Sequence, residues 1–211
     1  MNILTLMLRN PLLLYYNTFH FQENKFKLLP FEEGNPLDET YEAKKVTKTD
    51  VDLRKKFSRI KNQGQQGSCL SFAITSVFEY MMKINELEDC DLSEAFLYYN
   101  ARHLDKNDDV SEEIDSGSRI TPSLDSIKKY GIALEKFCPY NDNIYNQKPT
   151  EEAYKDAETR KLIKALNVET KLEDIKSAIA DGYPVIGSFV LCRSFNPEEG
   201  FIKLPTQEEI Q

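Results

Sequence analysis

Histidine is scarce in this sequence: His20 and His103 are its only two. The four cysteines, Cys69, Cys90, Cys138 and Cys192, are far apart. No pair has the close spacing of zinc ligands, so neither a metal site nor a cofactor is expected. Basic charge does not gather anywhere: 27 Lys and Arg stand against 35 Asp and Glu, a net charge of −8. Without a basic patch there is no footprint for nucleic acid, and acidity of this size speaks to solubility. Long apolar runs are missing too. Residues 1–21 form the most apolar stretch, but Arg9-Asn10-Pro11 breaks it and no small-residue cleavage site follows. It is also too short for a bilayer, which takes about 20 apolar residues. The stretch reads as a segment packing on the domain, or as a plain extension, rather than as an export signal. There is no internal repeat and no low-complexity tract.

What is present suffices for a packed core. Apolar residues make up 40% of the 211, with 12 Phe and 11 Tyr, enough for one domain or two small ones. Residues 22–50 are polar, with Pro30 and Gly34-Asn35-Pro36, and read as an extended connection. The chain is then organised around Lys61-Asn62-Gln63-Gly64-Gln65-Gln66-Gly67-Ser68-Cys69-Leu70-Ser71-Phe72-Ala73. Two glycines make a tight polar loop, and Leu70, Ala73, Ile74, Val77, Met81 and Ile84 recur at helical spacing. This puts Cys69 in the first turn of a helix running to about Asn85. Unpaired backbone N–H groups and the helix dipole favour thiolate there by about 0.3–1 kcal/mol. That lowers the thiol by well under one unit from its usual value of about 8.5. Gln63 can aim an amide N–H at an oxygen held above the sulfur, as the oxyanion of acyl transfer requires. The bland alternative is that Cys69 is a small buried hydrophobe.

Further on, Ser93 should cap a helix carrying Phe96, Tyr99 and Leu104, with His103 a surface residue. Thr121 should cap a helix with Pro122 at its first position and Gly131 past its end. Thr150 caps a short helix containing Ala153, Tyr154 and Ala157. Residues 162–168 read as a strand. Thr170-Lys171-Leu172-Glu173 reads as a capping box, opening a helix that carries Leu172, Ile175 and Ile179. Residues 183–192 read as a buried strand.

The stretch Gln63-Gly64-Gln65-Gln66-Gly67-Ser68-Cys69-Leu70 resembles the papain family of cysteine peptidases, whose pattern is Gln-Gly-x-Cys-Gly-Ser-Cys-Trp. Gln66 stands where the family has a cysteine that is usually disulfide-bonded, and Leu70 where it has Trp, as in bacterial, archaeal and viral relatives without disulfides. The resemblance continues through Leu92-Ser93-Glu94-Ala95-Phe96-Leu97-Tyr98-Tyr99-Asn100-Ala101-Arg102, Asp115-Ser116-Gly117-Ser118 and Cys138-Pro139-Tyr140. It implies an α+β fold: an N-terminal extension (residues 1–50), a helical half (51–142) and an incomplete, barrel-like strand-rich half (143–211). It further implies that Cys69 is the nucleophile and Gln63 the oxyanion-hole side chain. Gly67, Ser68, Gly117 and Ser118 would line the cleft for a peptide or protein substrate. The missing disulfide makes a reducing, cytoplasmic setting the simpler expectation.

The resemblance also implies a general base and its orienting partner: a His from a Gly-Gly-His-Ala-like segment and an Asn from an Asn-Ser-Trp-Gly-like one. This sequence shows neither, and His20 and His103 match neither position. The expectation is the front portion of a peptidase, inert or nearly so by itself. The strand at residues 183–192 should then lack partners on at least one side, at Val185, Ile186, Phe189 and Val190. A non-catalytic peptide-binding or regulatory module stays open as an alternative. Another thiol acyltransferase class, such as transglutaminase-like proteins, is disfavoured by the continuous match from Val51 onward.

Overall fold

The structure, a computed structural model, describes residues 12–15 (backbone only), 39–48, 50–87, 89–105, 114–162 and 164–187. In chain order the elements are strands β1 (Leu12–Tyr15) and β2 (Glu39–Thr40), then helices α1 (Cys69–Ile84), α2 (Glu94–Leu104), α3 (Ile120–Tyr130) and α4 (Glu151–Ala157). Strand β3 (Ala165–Val168), helix α5 (Leu172–Ala180) and strand β4 (Val185–Ile186) follow. Single 3₁₀ turns lie at Arg54–Lys56 and Glu135–Phe137.

α1 forms where the apolar spacing places it, and its inner face is the centre of the molecule. Ile74, Val77, Phe78, Met81 and Met82 are buried against Leu97 of α2 and Leu124 and Ile127 of α3. Burial of such side chains contributes about 1.5–3 kcal/mol each. α2 starts at the expected cap, the Ser93 hydroxyl accepting from the Phe96 N–H at 3.0 Å. α4 starts likewise, with Thr150 accepting from Ala153. α3 begins earlier than expected. Arg119 is its cap residue, and Thr121 and Pro122 sit inside the first turn. The first helical N–H groups have no intrahelical partner, so Pro122 costs nothing there. Gly131 ends α3 at φ 82°, and a Cβ on it would lie 1.9 Å from the Ala157 carbonyl oxygen. Only glycine lets α3 and α4 approach this closely.

β2, β3, β1 and β4 lie side by side in that order, and every described pairing is parallel. Leu12 pairs with Ala165 and Tyr15 with Val168, while Leu13 faces Val185 and Leu14 faces Ile186. A stretch of the apolar N-terminal segment thus packs on the domain as a strand within its sheet. Side chains alternate across a strand. Ala165 and Ile186 accordingly join the α1 core, while Leu166, Val168 and Val185 face α5 with Tyr41 and Ala178. The sheet is therefore covered by α1 on one face and α5 on the other.

Some expected boundaries move. β3 is shorter than residues 162–168 suggested. α5 has Lys171 as its cap residue without a side-chain cap bond, so the Thr170 box does not form; Leu172 is 63% exposed. β4 pairs only with β1 among the described residues. Ile186 is nevertheless 4% exposed, because α1 covers it, so the expected loss of burial does not hold there. Phe189, Val190 and Cys192 lie outside the described residues.

Candidate active site

Cys69 is the first residue of α1 and is exposed. The loop before it is held from two sides. On one side, Asp142 lies over Gly64, where a Cβ would come within 2.1 Å of Oδ2 and the backbone has φ 61°. Asn141 joins it, its carbonyl accepting from Gln66 Nε2 at 3.3 Å. Tyr140 adds a third tie: its hydroxyl donates to the Gln63 carbonyl at 2.8 Å and shares a 2.7 Å hydrogen bond with Ser68 Oγ. Its ring meets Phe72 edge-on at 4.8 Å between centroids, and burial pushes its phenol up to about 12.

On the other side stands Asp115. Its Oδ2 accepts from the Gly67 N–H at 2.7 Å, and its Oδ1 accepts from the Tyr98 hydroxyl. The Tyr98 oxygen in turn accepts from the Gly117 N–H at 3.0 Å. A Cβ on Gly67 would lie 3.3 Å from that same Gly117 nitrogen. The loop before Cys69 and the Gly117 segment thus run against each other, backbone to backbone, as a bare glycine permits.

The expected site residues fall as follows. Gln63 lies in the loop, with Nε2 donating to the Gln66 carbonyl at 2.9 Å; its second N–H is the one an oxyanion could use. Gly67 and Gly117 face each other beside the Cys69 turn. Ser68 is fully buried, with its hydroxyl on Tyr140, so it can offer a substrate only backbone. The Ser118 hydroxyl is buried without a hydrogen-bond partner among the described residues. His103 is exposed in the last turn of α2, with Nδ1 hydrogen-bonded to the Tyr99 carbonyl at 2.8 Å and its ring stacked on Tyr99. His20 lies outside the described residues.

The thiol departs from expectation in direction. Loss of solvation among the surrounding protein atoms pushes Cys69 up from its ordinary value, and the Asp115 carboxylate adds to this. The N–H groups of Leu70 and Cys69 pull the other way, as the helix start should, but do not win. Among the described residues, no imidazole is one of the groups that set its acidity. Among the described residues no cluster of His, Cys, Asp and Glu can hold a metal ion, and no helix is long and apolar enough to cross a membrane.

Sequence reasoning gave no role to Asp115, Tyr98, Tyr140 or Asp142. All but Asp142 stand in the stretches that carry the resemblance. A carboxylate two residues before the cleft glycine was the available signal.

Below α1 lies a second charged group. Lys61 Nζ contacts Asp91 at 2.6 Å, Glu94 at 2.8 Å and Glu79 at 3.0 Å. Burial works against the ammonium, but these carboxylates outweigh it and hold it charged. Glu135 accepts from the Tyr140 N–H at 2.7 Å and is raised to about 7, chiefly by burial.

With the geometry established, comparison with known proteins is direct. The model of the papain family cysteine proteases matches residues 47–202. An uncharacterized peptidase C1-like protein of Acanthamoeba polyphaga mimivirus is 28% identical over 197 residues, 87% of this chain and 60% of that protein. The chain therefore spans about three fifths of the length of this relative. Among solved structures, xylellain, a cysteine protease from Xylella fastidiosa, superposes with a TM-score of 0.64 at 23% identity, covering 78% of this chain and 67% of that one. At that identity the likeness speaks for the fold, an α+β arrangement shared with papain-like proteases. A thiol at a helix start with Gly67 and Gly117 packed beside it, a family model covering most of the chain and a shared fold agree: this chain belongs to the papain family of cysteine proteases.

Proposed function

We propose that Cys69 is the nucleophile of peptide-bond hydrolysis, and that this chain is the N-terminal portion of the machinery, inert or nearly so alone. The observation that carries the reading is the placement of the Cys69 thiol at the start of α1 with Gly67 and Gly117 packed beside it. In the complete reaction the sulfur attacks a peptide carbonyl and forms an acyl-enzyme, which water then hydrolyses. The oxyanion takes hydrogen bonds from the Cys69 backbone N–H and the Gln63 side chain. Gly67 and Gly117 give extended substrate room to lie against backbone. An imidazole must take the thiol proton and return it to the leaving amine; neither His103 nor any other described group stands in that role at Cys69. A reducing, cytoplasmic setting goes with this reading, supported by Gln66 standing where the family usually has a disulfide-bonded cysteine.

A second reading is a peptide-binding module without chemistry, in which Cys69, crowded by protein atoms and facing the Asp115 carboxylate, is pushed away from the thiolate rather than toward it. Labelling with a peptidyl chloromethyl ketone, followed by peptide mapping and a turnover assay, tests the proposal. The expected result is an adduct on Cys69 in preference to Cys90, Cys138 and Cys192, with no turnover. Equal labelling of all four cysteines contradicts the nucleophile assignment. Turnover abolished by Cys69→Ala contradicts the inertness of the chain.

A further inference from the structure

We propose that Asp115 is a positioning residue of the thiol site, which through the Gly67 amide and Tyr98 fixes the nucleophile loop against the cleft glycine Gly117. The inference rests on the reading of Cys69 as nucleophile and extends it to how the cleft keeps its shape. The connection is continuous: Gly67 N–H to Asp115 Oδ2 at 2.7 Å, Tyr98 hydroxyl to Asp115 Oδ1, and Gly117 N–H to the Tyr98 oxygen at 3.0 Å. The two ends are the two backbones that meet at the cleft, 3.3 Å apart from a Gly67 Cβ position to the Gly117 nitrogen. Tyr98 is itself fixed: its residue is 1% exposed, and the Arg102 guanidinium lies 5.2 Å from its ring centroid. Burial and the Asp115 carboxylate both raise its phenol, so it stays protonated and can donate and accept at once.

A carboxylate is a poor choice beside a nucleophilic thiol, because a like charge opposes the thiolate. Asp115 acts on Cys69 in that unfavourable sense. It is the charged side chain that does so among the described residues; Asp142 and Glu94 join it in acting on Tyr140. Its value must therefore lie in geometry. A carboxylate can accept two hydrogen bonds at once from opposite sides, and charge-assisted bonds are roughly twice as strong as neutral ones.

The test separates charge from geometry with Asp115→Asn and Tyr98→Phe. Each is measured for the pH midpoint of Cys69 alkylation by iodoacetamide, and for the ratio of its labelling rates with a peptidyl chloromethyl ketone and with iodoacetamide. Asp115→Asn should lower the midpoint, because it removes the like charge that opposes the thiolate, yet reduce the labelling ratio about tenfold or more. Tyr98→Phe keeps the charge and the Gly67 bond, so it should leave the midpoint in place and still reduce the ratio. A more acidic thiol that handles a peptide worse is not what general loosening of the fold gives. Ratios equal to the wild type's in both variants, or a midpoint that stays or rises in Asp115→Asn, overturn the proposal. If the wild type itself shows no preference for the peptidyl reagent, the nucleophile reading has failed, and the iodoacetamide midpoint alone decides whether Asp115 acts on the thiol. Should Asp115→Asn not fold, Tyr98→Phe carries the geometric arm and Asp115→Glu, which keeps the charge, should restore part of the ratio.

Discussion

Single ionisable side chains here make predictions of definite sign. Glu135 is raised from 4.5 to about 7 in the folded protein, by burial first. Below about pH 4.5 it is protonated folded or unfolded. Between 4.5 and 7 only the folded state keeps the proton, so stability linked to this group is lost as the pH rises through about 7. Glu135→Gln should therefore gain stability over the wild type above pH 7 relative to their difference at pH 4.5. Melting temperatures of both proteins at the two pH values measure this; a difference that does not change with pH contradicts it. Lys61 makes the opposite kind of prediction. Its removal strands Glu79 and Glu94, which are 3% and 2% exposed. Lys61→Met should cost about 3–5 kcal/mol in urea unfolding, and adding Glu79→Gln and Glu94→Gln should recover part of the loss.

Elements were legible where local chemistry decides them. α1 shows in the spacing of Ile74, Val77, Met81 and Ile84, α2 in the Ser93 cap, and the end of α3 in Gly131. Loss of the cap by Ser93→Ala should cost about 1 kcal/mol. Gly131→Ala should cost more, because a Cβ at φ 82° meets the Ala157 carbonyl at 1.9 Å. Denaturant midpoints of the two variants give the order; a Gly131→Ala protein as stable as the wild type contradicts the packing described. Where expectation missed, the decision lay beyond local sequence. Thr121, just ahead of the Leu124 stripe, reads as a cap until the fold sets Arg119 in that position. The sheet partners of β3 and β4 were unreadable, since β1 joins them from the opposite end of the sequence. The site divides the same way. Cys69, Gln63 and Gly67 sit in one loop and could be read together. The ties from Asp115, Tyr98 and Tyr140 are contacts between distant segments, which no spacing reveals.

At the scale of the whole molecule, β1 lies between β3 and β4 and connects them. Removing residues 1–38 should open both strands to other chains, because unpaired edges template association. Sedimentation should show oligomers or aggregates where the full chain does not; a stable monomer from the shortened chain contradicts this role of β1. On the helical side of the molecule, α1, the Asp115–Gly117 loop and the Tyr140–Asp142 loop bring the parts of the thiol site together. The central proposal is that this arrangement presents Cys69 as an addressable thiol that no imidazole among the described residues activates. The most direct measurement is the rate of Cys69 alkylation by iodoacetamide from pH 4 to 10, beside a peptidase assay. The account predicts a midpoint at or above the ordinary thiol value of about 8.5 and no peptide turnover. A thiol paired with an imidazole falls to about 3–4, so full reactivity at pH 5, or turnover that Cys69→Ala abolishes, would contradict it.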